Sequence, residues 1–203
     1  MKRFVPLALS VTLMVGACGG GEMTLTEYVD RLNGIIAQAI PQGEALFASP
    51  QGAVLAEGAR LTDFTPQDLQ IALERVGEIE VQIREAAEDI DPPEAVAGFH
   101  NLYFDTRFAS AREALAVRAG TTATWEELSE TPEMAAYRTA VADDKQTCID
   151  FQDEMDATEE RGAFADTPWL PSELKEIVTA LLGCDVYPEH PEDMFRPAPT
   201  TAP

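Results

Sequence analysis

The sequence predicts an all-α protein: an antiparallel, up-down bundle of four to five helices with a disordered, proline-rich C-terminal tail. Three observations predict it. Apolar residues recur at spacings of three and four through most of the chain, the mark of one buried helix face. Helix starts recur, with Thr65-Pro66 and Thr131-Pro132 pairing an N-cap residue with a proline at the first helical position. No stretch alternates apolar and polar residues with the period of a strand.

Residues 24–186 are expected to form the bundle. Thr24 and Glu27 make a capping-box pattern, and Leu25, Tyr28, Val29, Leu32, Ile35, Ile36 and Ala39 follow on one face. Pro41 is expected to end this first helix, leaving residues 42–64 as a partly helical connection broken by Gly43, Pro50, Gly52 and Gly58. The second helix begins at Thr65-Pro66 and turns Leu69, Leu73, Val76, Ile79, Ile83, Ala87 and Ile90 inward before Asp91-Pro92-Pro93 stops it. A third helix is expected over residues 94–119, closed by Gly120, with one further turn at 124–128. The fourth carries Met134, Tyr137, Val141, Cys148, Phe151 and Met155 on one stripe. Trp169, between Pro168 and Pro171, is expected to pack over one end of the bundle. A last short helix shows Leu174, Ile177, Val178, Leu181 and Leu182 and stops at Gly183. Residues 187–203 contain Pro188, Pro191, Pro197, Pro199 and Pro203 and no apolar period, so they are expected to be disordered.

Two stripes are each interrupted once. The second helix is apolar at 69, 73, 76, 83, 87 and 90 but carries Glu80; the fourth carries Asp144 between Val141 and Cys148. On the third, the stripe 97, 100, 104, 107, 111, 115 includes His100 and Arg107. For antiparallel helices turning near residues 92 and 120–131, Arg107 stands level with both carboxylates, and His100 lies roughly 10 Å along the axis at 1.5 Å per residue. The first reading is a structural cluster in which Arg107 neutralises Glu80 and Asp144, because a buried charge must be paired. In a second, a small helix rotation turns one or more of them to solvent. The third is a polar pocket between helices for a small solute or cation.

Other chemistry has little footing. A di-metal carboxylate site takes Glu-x-x-His from two helices, whereas Ala97 stands three before His100. The acidic run Asp150, Asp153, Glu154, Asp156, Glu159, Glu160 lacks the spacing of a calcium loop. No Gly-x-Ser-x-Gly elbow, dinucleotide fingerprint or P-loop is present. No catalytic residue, cofactor or metal ligand is assigned.

The N-terminus supplies an address. Lys2-Arg3, an apolar stretch from Phe4 to Val15 and small residues before Cys18 have the form of a secretory signal, too short to span a bilayer stably. Val15-Gly16-Ala17-Cys18 resembles the lipobox of bacterial lipoproteins. The resemblance implies cleavage after residue 17, lipid attachment at Cys18 and an extracytoplasmic chain anchored to a bacterial membrane. Residues 18–23, with Gly19-Gly20-Gly21, then read as a flexible tether. Loss of Lys2 and Arg3 with residues 1–17 takes the formal net charge from −22 to −24. Such a charge opposes nucleic-acid binding and docking on anionic lipid. It suits a well-solvated surface or capture of a cation or basic partner. Cys148 and Cys184 are the remaining cysteines, and two cysteines in an exported domain are expected to pair.

The expected role is therefore a lipid-anchored lipoprotein that binds or scaffolds envelope components. A solute- or metal-binding lipoprotein using Glu80, His100, Arg107 and Asp144 is the alternative, and an envelope hydrolase the weakest. Candidate partners are a cation, a small solute or an envelope protein, with the membrane reached through the N-terminal lipid.

Overall fold

Threonine side chains start four of the helices. The Thr24 hydroxyl accepts from the Glu27 amide at 3.2 Å, and the Glu27 carboxylate accepts from the Thr24 amide at 2.9 Å, opening α1 (Leu25–Phe47). Thr65 and Asp68 repeat this box ahead of α2 (Pro66–Glu88). Thr124 caps the short α5 (Trp125–Ser129), and Thr131 caps α6 (Pro132–Glu160). Each satisfies backbone donors that the first turn leaves orphaned. The others are α3 (Glu94–Tyr103), α4 (Arg107–Thr121) and α7 (Leu170–Leu182). The computed structural model describes residues 23–56, 58–103, 107–162, 165–182 and 187–197, and among these it is all-helical with no strand.

Seven helices thus stand where four to five are expected. The third splits into α3 and α4, and the turn at 124–128 is a helix of its own. Pro41 does not end α1, which continues to Phe47. Pro41 and Ala37, whose carbonyl loses its partner, both lie on the exposed face, where water takes the place of the missing amide. The extension also has a packing reason, because Leu46 is buried. The chain then turns so tightly that a Cβ on Gly52 would overlap the Leu46 carbonyl, which explains glycine there.

Two apolar clusters hold the helices. The first joins Leu69, Ala72 and Leu73 of α2, Leu115, Ala116 and Ala119 of α4, Trp125 and Leu128 of α5, and Met134, Tyr137 and Val141 of α6 with Val54. The second joins Tyr28, Val29, Leu32 and Ile36 of α1, Ala87, Ile90, Val96, Met155 of α6, and Leu170, Leu174 and Ile177 of α7. Helices α2 and α6 each feed both clusters, one from each end. Whatever lies midway along them is held between two apolar masses.

Trp169 is 38% exposed, whereas Trp125 is the buried indole, its N–H donating to the Phe64 carbonyl at 2.9 Å. One further expectation is corrected. The tail from residue 187 is not wholly disordered. Tyr187, Met194 and Phe195 pack against the first cluster, and Pro191–Asp193 makes a 3-10 turn. Three large apolar side chains in eleven residues bury enough surface to order a proline-rich strap. Residues 198–203 lie outside the described residues.

Candidate functional site

The interruptions of the α2 and α6 stripes meet between the two clusters. Arg112 of α4 is 2% exposed, and its guanidinium forms an ion pair with Glu80 of α2. Gly77, one turn before Glu80, makes room for it, since a Cβ there would stand 3.1 Å from Arg112 Nη2. Asp144 of α6 is half-buried and accepts a long hydrogen bond, 3.5 Å, from the Tyr187 hydroxyl. Tyr137 sits within the electrostatic reach of all three charges. Burial pushes its phenol up, Arg112 opposes the shift, and Glu80 and Asp144 add to it. The Tyr187 phenol is raised too, by burial first and then by Asp144.

Glu80 and Asp144 both lie within electrostatic reach of Tyr137, and the cation paired with Glu80 is Arg112. The side chain of Arg107 lies outside the described residues. One continuous third helix misses Arg112 through a change of phase. In α4 the buried positions are Ala109, Arg112, Leu115, Ala116 and Ala119, whereas one continuous third helix put 107, 111 and 115 inward. The buried spacing 112, 115, 116, 119 was the signal available in the sequence, and it applies once α4 is treated apart from α3.

His100 does not join this band. It is 7% exposed, and its Nδ1 shares a 3.1 Å hydrogen bond with the hydroxyl of Tyr28, the rings meeting edge to face at 5.7 Å. Tyr28 belongs to the second apolar cluster. Burial lowers the pKa of His100 and raises that of Tyr28, so both are held neutral. His100 therefore belongs to a different place from Glu80 and Asp144, and Arg107 lies outside the described side chains. Among the described residues, no three His, Cys, Asp or Glu side chains gather as a metal site would require. Cys18 and Cys184 lie outside the described residues; Cys148 is buried on the α6 stripe, 3% exposed.

Two expected results follow from this geometry. Gly77→Ala gains about 1 kcal/mol of helix propensity but pushes a methyl against a guanidinium that its ion pair and burial hold still, and overpacking costs about 1–3 kcal/mol. The net outcome is a loss of about 1 kcal/mol in urea unfolding; a gain would mean that Arg112 yields. His100 governs acid sensitivity. Below its ordinary 6.5 the unfolded chain binds a proton that the folded chain resists. The stability that depends on neutral His100 is therefore present above that pH and lost as pH falls through the lowered folded-state value. His100→Phe is expected to flatten the fall in stability between about pH 7 and pH 5.5; an identical pH profile in parent and variant would remove His100 as its cause.

The chain matches no protein-family model, no curated protein and no solved structure. Among the described residues, no helix is long and apolar enough to cross a membrane.

Proposed function

We propose that this chain is a lipid-anchored, extracytoplasmic binding or scaffolding module, held to a bacterial membrane through Cys18. The observation that supports the binding or scaffolding reading is the commitment of interior polar groups to one another: Arg112 pairs with Glu80, and neutral His100 with the Tyr28 hydroxyl. Those pairs fix how the helices sit and leave recognition to the outer surface. In the same reading the bundle is up-down and antiparallel. Its support is that the first halves of α2 and α6 and the last half of α4 meet one cluster, while the first half of α1 meets the other. Cys148 and Cys184 form a disulfide in this proposal. The packing of α6 on α7, which ends at Leu182, supports it.

Native mass spectrometry of the purified chain tests the role and is expected to give the protein mass alone; a stoichiometric solute or metal would favour the solute-binding alternative. The anchor is tested separately. The parent is expected to incorporate an alkyne-tagged fatty acid and to sediment with membranes, and Cys18→Ala to do neither. An untagged parent in the soluble fraction would end the lipoprotein reading.

A further inference from the structure

The segment 187–197 is held in part by contacts that any extended peptide could make. Arg138 Nε donates to the Met194 carbonyl at 2.9 Å, and Lys145 Nζ donates to the carbonyls of Pro188 and Glu189, both at 3.1 Å. These bonds read backbone, not sequence. Side chains add to them: Phe195 stacks on Trp125 at 6.0 Å between centroids, with planes 16° apart, and lies 6.4 Å from Tyr137, while Tyr187 and Met194 pack beside it on the first cluster. Backbone carbonyl capture beside an aromatic pocket is a common way for a protein to hold an extended segment.

The fit is also imperfect. Phe195 has φ +53°, the sole positive value at a non-glycine position among the described residues, a strained conformation for an aromatic residue. Arg138 donates through Nε and through Nη1 to the Ser129 carbonyl, yet its buried Nη2 has no acceptor among the described residues. Burial and the charge of Arg196 make this guanidinium harder to keep protonated. The strap therefore leaves a donor unmet and stores backbone strain, both of which favour exchange for a better ligand.

We propose that residues 187–197 are a releasable latch, seated in a peptide-recognition groove formed by α5 and α6. The exchanging ligand is an extended segment of another protein with an aromatic anchor and acidic side chains. The anchor copies Phe195, and the acidic side chains answer Arg138 and Lys145, the cations that hold the strap, since Asp193 favours the charged form of Arg138 whereas Arg196 opposes it. The latch gives the binding-module reading a site and fails separately from it, since a bundle that binds elsewhere would keep that reading.

The test uses a fluorescent synthetic peptide copying residues 187–197 against the full chain. Phe195→Ala, which frees the groove, is expected to bind the peptide at least tenfold more tightly than the parent, whose own strap competes. Adding Arg138→Met to Phe195→Ala is expected to abolish most of that gain. A peptide with its three acids, Glu189, Glu192 and Asp193, changed to glutamine is expected to bind less tightly, with the difference shrinking in high salt, and one that binds more tightly would overturn the acidic ligand. Equal binding by parent and Phe195→Ala would overturn the latch. So would a Phe195→Ala chain that fails to fold, because a segment whose loosening unfolds the bundle is structural.

Discussion

Arg112→Met is expected to lower the stability of the folded chain by about 3 kcal/mol, because removing one member of a buried pair strands the other. The stranded group is Glu80, whose side chain is 31% exposed, so water recovers part of the loss and the low end of the usual range applies. For a domain of this size the loss corresponds to a fall in Tm of about 6–12 °C. Glu80→Leu combined with Arg112→Met is expected to recover most of it, as apolar replacement of a whole buried pair is often neutral. A single variant that melts with the parent would show that the ion pair does not hold the polar band together.

Reduction of the proposed Cys148–Cys184 bond is expected to have an effect of similar size. A closed loop of that length constrains the unfolded chain by about 3–4 kcal/mol in the chain-entropy account. Cys148→Ala with Cys184→Ala is expected to melt well below the oxidised parent and to be insensitive to reductant. Mass spectrometry after alkylation under denaturing conditions reads the bond directly: neither of these two cysteines should react before reduction. If both are alkylated in unreduced protein, the bond does not form.

Some of this was legible from residue order and some was not. The stripes of α2 and α6 are local: Leu69, Leu73 and Ala87, and Met134, Tyr137, Val141, Cys148 and Met155, are buried as their spacing requires. For that reason Glu80 and Asp144 could be found as exceptions. Thr24, Thr65 and Thr131 mark helix starts because capping involves a residue and its neighbours three positions on. The Tyr28–His100 bond joins residues 72 apart, and no local pattern encodes that distance. The order of residues 187–197 is likewise invisible locally, because Tyr187, Met194 and Phe195 follow no period and find their partners on α4, α5 and α6.

The sequence by itself determined the all-helical class, the helix starts and the two carboxylates that interrupt apolar faces, because these depend on propensity and periodicity within a few residues. Only the tertiary structure decided that Arg112 meets Glu80, that α1 runs through Pro41 and that the C-terminal strap docks. Each of these depends on how one helix is rotated or exposed relative to another. The physical reason is that pairing a buried charge, or burying an aromatic side chain, is decided by the neighbour across the interface, and that neighbour lies far away along the chain.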